Sequence, residues 1–291
     1  EASTAEAAPS KRWACGWLKQ VRVLTARSFK VNRFERVNSQ TVGQMVAIAV
    51  ITGLLWFQRA AGTTKTAARD TTGLLFFELL FTQFQAMFSA LFAFPSQMQQ
   101  LRKERASGMY RLSAFYTSKI LGDLPLDLLL PTLGVFILYF LAGLRLEAAA
   151  FFANWFTILL VVLTAQGFGM VLSAGFAQIK TAQTLATIIV LTFMLVGGFY
   201  VVEVPGWIRW LRYLSWIYYG YNIVMHIQFS GRAYTECAGP GCGLIDLQQV
   251  LALTKDPNSS IALDIGVLLL LFVAFRIAVY FVLNARTKSA V

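Results

Sequence analysis

Long apolar runs alternate with short polar segments along most of this chain. A helix needs about 20 mostly apolar residues to cross a bilayer. Six stretches fit that requirement: residues 42–57 (the shortest), 73–95, 120–142, 148–176, 184–202 and 261–283. The second is broken by Glu78, the third by Asp123, Pro125, Asp127 and Pro131, and the sixth by Asp264 and Arg276. The fourth and fifth contain no charge. The pattern predicts an all-α polytopic membrane protein with six spans across residues 41–291, preceded by a disordered tail over 1–10.

Two further segments are periodic but not spans. Over 13–36, Arg12, Lys19, Arg22, Lys30 and Arg33 fall within an arc of roughly 80° at helical spacing, opposite Trp13, Trp17, Val21, Leu24 and Val31. A basic amphipathic helix of this kind lies in the headgroup plane, as a passive anchor or as a lever to a cytoplasmic domain. Residues 204–229, VPGWIRWLRYLSWIYYGYNIVMHIQF, combine Trp and Tyr with Arg209 and Arg212. A full span here would invert the C-terminus, so the segment is expected to dip into the outer leaflet under a cover of protein.

Composition agrees: 57% of the 291 residues are hydrophobic and 13% charged, against about 45–50% and 25% in soluble domains. Mean hydropathy is +0.61. This excludes a soluble enzyme and a disulfide-dense secreted module. The net charge of +11 marks cytoplasmic loops rather than a nucleic-acid site. With the N-terminus inside, sixteen Lys and Arg fall in inner segments and eight in outer ones, so both termini are expected in the cytoplasm. The long basic stretch ahead of the first span predicts no cleavable signal peptide. Cys237 and Cys242 then lie in the outer loop 203–260, an oxidising location that favours a disulfide over two free thiols. Asn258 heads a lone glycosylation sequon close to the sixth span and reads as chance.

Candidate chemistry is sparse. Phe77, Phe81, Phe84 and Phe88 share an arc of roughly 60°, a stripe that is ordinarily lipid-facing packing. Gln83, Gln85 and the ionisable Glu78 on the same helix argue against full exposure to lipid. Asp123 and Asp127 share a face without an intramembrane basic partner near in sequence, and Arg276 is free to snorkel or to pair with an acid. All three are expected to be structural. The single histidine, His226, cannot build a metal site. No nucleotide-binding loop or nucleophile elbow occurs, so no catalytic or metal residue is assigned.

Several blocks carry a family resemblance: GLLFF (73–77), FPSQMQQLRKERASGMYRLSAFYTSK (94–119), Gln166-Gly167, GGFYV (197–201) and VPGWIRWLRYLSWIYYGYN followed by the cysteine pair. The chain resembles the transmembrane domain of a subfamily G (White/Brown-complex) ABC half-transporter, most closely the plant-like members. That resemblance implies the ABC type-2 exporter fold, with residues 11–40 holding the connecting helix and 101–118 the coupling helix. It also implies a second half-transporter as partner, a homodimer in preference to a heterodimer. A nucleotide-binding domain outside this sequence would hold ATP and Mg and hydrolyse the ATP. Arg102, Lys103, Glu104, Arg105 and Arg111 would receive its push. Substrate would lie between two protomers against Phe77, Phe81, Phe84, Gln85, Phe88, Leu191, Thr192 and Met194, below a gate at Phe199 and Tyr200.

The function this implies is ATP-driven export of an amphipathic or planar small molecule (hormone, sterol, lipid or xenobiotic) across the plasma membrane. The alternatives are an ion-coupled carrier using Glu78, Asp123 and Asp127, and a membrane scaffold with no cargo.

Overall fold

A computed structural model describes residues 15–36, 38–107, 109–201, 204–230, 232, 234–235, 244–245 and 260–288. In chain order it contains α1 (Trp17–Arg36), α2 (Ser39–Leu55), a 3-10 turn (Arg59–Ala61), α3 (Lys65–Ala106), α4 (Leu112–Ala142), α5 (Ala148–Gly175), α6 (Ile179–Val196), α7 (Trp210–Leu214) and α8 (Trp216–Phe229). Two short strands, β1 (Tyr234–Thr235) and β2 (Leu244–Ile245), and the last helix, α9 (Ile261–Lys288), complete it. Among the described residues, five helices are long and apolar enough to span a bilayer: α3, α4, α5, α6 and α9. Helix α2 is apolar but has 17 residues, about 25 Å at 1.5 Å per residue, shorter than an average hydrocarbon core. The expected tail over 1–10 lies outside the described residues.

The second expected span stops at Pro95, yet α3 runs 42 residues through that proline to Ala106. A proline inside a helix removes the N–H that would bond the carbonyl four residues earlier. Here that carbonyl belongs to Leu91, and Ser173 Oγ of α5 donates to it at 2.9 Å. A neighbouring helix thus supplies the missing donor, which is how prolines are accommodated in lipid.

Helix α5 also approaches the α3 backbone closely. A Cβ placed on Gly169 would stand 2.5 Å from the Met87 carbonyl oxygen. Small residues at such crossings let membrane helices meet. Around this seam Leu74, Leu75, Leu79 and Leu91 of α3 and Val161 and Ala165 of α5 are fully buried. A second cluster toward the other end joins Phe94, Met98 and Leu101 of α3 to Tyr116 of α4, Met170 of α5 and Leu283 of α9.

Helices α7 and α8 occupy the 204–229 segment; α8 is covered by protein as expected, whereas Trp207, Trp210, Tyr213 and Leu214 ahead of it are exposed. Ser215 separates them and caps α8, its Oγ accepting from Tyr218 N–H at 3.4 Å. Helix α8 is almost wholly buried against α3, α5 and α9. Trp216 Nε1 donates to Gln83 Oε1 at 2.6 Å, and both side chains are fully enclosed. Arg212, an outer-loop cation by sequence, is buried with its guanidinium 4.3 Å from the centre of the Tyr218 ring.

The apolar arc expected along α1 is corrected in part. The helix packs on α4, but polar Gln20 is buried beside Val21, while Trp17 and Val31 are exposed. Hydrogen bonds to α4 and its preceding turn draw the polar side in: Gln20 Oε1 accepts from Arg111 N–H at 3.2 Å, and Trp17 Nε1 donates to Ser113 Oγ at 3.3 Å.

Ser173→Ala is expected to lower stability by about 1–3 kcal/mol, the cost of orphaning a buried carbonyl. Pro95→Ala in the same background should recover part of the loss, because it restores the missing N–H. Thermal melting of the detergent-purified single and double variants checks this. Equal destabilisation with and without the proline would refute the pairing.

Candidate functional site

The phenylalanines of α3 form two stacks rather than one stripe. Phe77 and Phe81 lie parallel with centroids 6.2 Å apart, and Trp56, just beyond α2, stacks on Phe77 at 6.4 Å. Both rings line a small cavity between α2, α3 and α4. Phe84 and Phe88 form the second stack at 6.0 Å, continued by Phe92 at 6.1 Å. Gln85 departs from the expected set: it lines a groove with Thr41 of α2 and Asp127 of α4. One residue of helical rotation, about 100°, separates it from Phe84.

Helix α6 packs beside α3 on Ala182, Ala186, Val190 and Phe193. Leu191 is 43% exposed on the opposite side. Thr192 returns its hydroxyl to the Ile188 carbonyl at 2.8 Å, and Met194 packs against the core. A slot that includes Leu191 therefore needs a second surface. Beyond the end of α6, Phe199 stacks on Phe76 at 4.6 Å, with Tyr200 edge-on to Phe76 at 5.6 Å. Tyr221 of α8 meets Phe76 edge-on at 5.2 Å. Sequence reading missed Phe76 and Tyr221. The signal for Phe76 was its place in the GLLFF block, hidden because Phe77 carried the regular spacing.

Three intramembrane charges, Asp123, Asp127 and Arg276, are engaged. Lys119, four residues before Asp123, pairs with it at 2.8 Å, and both side chains are buried. This corrects the expectation that Asp123 lacks a nearby basic partner and meets water. Lys119 Nζ also donates to Gln97 Oε1 of α3, and Ser28 Oγ of α1 reaches Asp123 Oδ1 at 3.5 Å. Arg276 of α9 and Asp127 of α4 both bond Gln166 of α5, the arginine to Oε1 at 2.7 Å and the aspartate from Nε2. Glu78 is 5% exposed, and neither of its oxygens has a hydrogen-bond partner among the described residues.

The segment expected as a coupling helix, 101–118, comprises the end of α3 and the start of α4. Glu104 accepts from Arg27 Nη2 of α1 at 2.7 Å and from the Tyr110 hydroxyl at 2.6 Å. Burial alone would raise the Glu104 carboxyl, but these two bonds and the Arg27 charge outweigh it and hold its pKa below the ordinary value. The bond to Glu104 raises Arg27 in turn. Burial, and then the bond to Glu104, push Tyr110 upward. Lys103 and Arg111 are exposed around this junction. The Arg102 and Arg105 side chains, and Cys237 and Cys242, lie outside the described residues.

An ABC-2 type transporter family model matches residues 19–229. The chain belongs to that family, as a subfamily G membrane domain. It is 37% identical over 276 residues to ABC transporter G family member 14 of Arabidopsis thaliana, covering 94% of this chain and 42% of that relative. Identity is 42% over 219 residues with Arabidopsis G family member 22, covering 75% of this chain and 29% of the relative. It is 30% over 225 residues with the rat broad substrate specificity ATP-binding cassette transporter ABCG2, covering 76% and 33%. This ABC membrane domain thus spans less than half the length of the curated relatives it matches, and it is an integral membrane protein.

The Arg27–Glu104 bond fastens α1 to α3 only while Glu104 is ionised. Because its folded pKa lies below the unfolded one, the stabilisation is complete above the ordinary carboxylate range and is lost as pH falls through it. Arg27 is half exposed, so Glu104→Gln is expected to cost no more than about 1 kcal/mol and to flatten the acid limb of a melting-temperature titration. An unchanged acid limb in the variant would refute the assignment.

Proposed function

We propose that this chain is the membrane-spanning half of an ATP-driven exporter of amphipathic or planar small molecules. Two copies would face one another across α3 and α6. The observation that carries the reading is the uncovered surface on those helices in a chain of this family. Phe84 and Phe88 stack but are only half-buried, and Ile188, Leu191 and Leu195 of α6 are each at least 43% exposed. Aromatic faces from two protomers would sandwich a flat ligand, each stacked pair adding about 0.5–1.5 kcal/mol beyond area burial.

A nucleotide-binding domain would dock at the charged junction of α1, α3 and α4. Its push would travel through Arg27–Glu104 and the Lys119–Asp123 pair into the lower half of α3. Substrate would leave past Phe199 and Tyr200, where Phe199 is braced by the buried Phe76. Both termini would be cytoplasmic, in the plasma membrane. Two groups of connections at opposite ends of the bundle support that orientation. Arg145 and Arg232 bond Ser230 and Ala60 carbonyls at one end, and α1 meets the 101–119 region at the other. Of the three carboxyls the ion-coupled alternative would use, Asp123 is held by Lys119 and Asp127 by Gln166, which leaves it Glu78.

ATP-dependent uptake of a hormone and sterol panel into inside-out vesicles tests the reading. Phe84→Ala should reduce uptake about tenfold, as expected when ~1–1.5 kcal/mol of stacking is lost, with membrane expression unchanged. Undiminished uptake in that variant would overturn the slot.

The proposed Cys237–Cys242 disulfide is supported by the ladder that brackets it: Tyr234 pairs with Ile245 and Thr235 with Leu244, antiparallel. Maleimide labelling of the full protein before and after reduction should reveal two new thiols, and loss of that difference in a Cys237→Ser, Cys242→Ser variant confirms their origin. Two thiols already reactive before reduction would refute the bond.

A further inference from the structure

Helix α1 climbs beside the start of α4. Contacts advance in step along both: Trp17 with Ser113, Thr25 with the Ser118 carbonyl and Ser28 with Asp123. A Cβ placed on Gly122 would stand 3.0 Å from the Ser28 Cβ, so the two helices are closely seated at that level. Counted back from Ala142, the last residue of α4, the roughly 20 residues that fill a hydrocarbon core reach to about Asp123. Ser28 therefore lies at the boundary of that core. At 1.5 Å per residue, Lys30 is within about 3 Å of the boundary, Arg22 about 9 Å from it and Lys19 about 14 Å.

The side of α1 turned to α4 carries no charge: Gln20 and Val21 are buried, and Thr25 and Ser28 half-buried. Lys19, Arg22 and Lys30 fall within an arc of roughly 80° on the opposite side, and all three are exposed. None of them forms an ion pair among the described residues. Residues 17–34 contain no Asp or Glu that could offset the arc. Phe29 and Val31, on either side of Lys30 in sequence, are exposed as well.

We propose that this outward face of α1 binds anionic phospholipid, with headgroups of net negative charge at Lys30 and Arg22 and acyl chains against Phe29 and Val31. Both cations stand in the headgroup layer or within about one Debye length of it, 8–10 Å. There each Lys or Arg is drawn to an anionic surface. Long basic side chains extend their charge toward that surface while their stems rest on apolar neighbours. An acidic protein surface would match the cations but not Phe29 and Val31 at the edge of the core. Zwitterionic lipid offers the arc no net charge. The lipid thus covers the side of α1 that α4 leaves open. This inference does not rest on the export reading, because it needs a charged leaflet beside α1 and neither a second protomer nor a cargo.

The test uses the full-length transporter in nanodiscs of equimolar phosphatidylserine and phosphatidylcholine. The protein is re-purified in detergent, and the phospholipids that stay with it are quantified by liquid chromatography and mass spectrometry. Phosphatidylserine is expected to be enriched about threefold or more over phosphatidylcholine. A wash at about 1 M salt, which shortens the Debye length to about 3 Å, should remove the enrichment. The combined variant Lys19→Gln, Arg22→Gln, Lys30→Gln should bring the two lipids to parity, whereas Lys30→Arg should keep the preference. Arg209→Gln, an exposed cation ahead of α7, should change nothing. No enrichment in the parent protein would overturn the proposal, as would undiminished enrichment in the combined variant. If that variant loses ATP hydrolysis in pure phosphatidylcholine yet keeps its phosphatidylserine, the face belongs to the nucleotide-binding domain and the proposal is likewise overturned. If it fails to fold, as read by size-exclusion profile and melting temperature, Lys30→Gln alone decides: reduced enrichment supports the site, and an unchanged value refutes it.

Discussion

The seam between α3 and α5 is the constraint on which the remaining structure depends. Helix α3 supplies wall residues to the aromatic surface, the gate, the groove and the charged junction, so all of them move with it. Its position is fixed where Gly169 lets α5 approach the Met87 carbonyl and where Ser173 satisfies the Leu91 carbonyl freed by Pro95. In hydrocarbon no solvent is available to replace that bond. A helix of 42 residues with an unsatisfied break in its middle would bend at the proline, and its two halves would no longer move as one body.

Polar side chains then tie the other helices to this seam. Gln83 holds Trp216 and with it α8, which closes the bundle beneath the gate. The Lys119–Asp123 pair with Gln97 and Ser28 joins α1, α3 and α4. Gln166 joins α4, α5 and α9 through Asp127 and Arg276. Charges buried this deeply destabilise a fold unless each is matched. Matching fixes relative helix positions more narrowly than apolar packing does, since lipid solvates leucine on any face.

The same architecture separates two kinds of surface. The α3–α6 side is apolar and aromatic, with little polar demand, and is suited to a second protomer and flat ligands. The α2–α3–α4 side encloses a groove that Gln85 and Asp127 line. Between them, Phe76 is buried under Phe199 and Tyr221, so a shift of α3 is felt directly at the outer aromatic cluster.

What the sequence determined by itself was the helical class, the order and approximate extent of the apolar helices, the interrupted 204–229 segment and the family. Apolar run length and short specific blocks such as ERASGMYRLSAFY are local properties, and a bilayer reads them without reference to the rest of the chain. Only the tertiary structure decided that α3 continues through Pro95, because the rescuing hydroxyl lies 82 residues away in sequence. It alone divided the phenylalanine stripe into two stacks, since neighbouring helices choose which side of an all-apolar helix is covered; the offset of Gln85 from Phe84 was already legible in helical spacing. The partner of Asp123 lay within reach of sequence reasoning, as Lys119 is one helical turn upstream. The bridge from Asp127 to Arg276 did not, for it runs through a glutamine on a third helix, and burial of a charge is decided by what surrounds it.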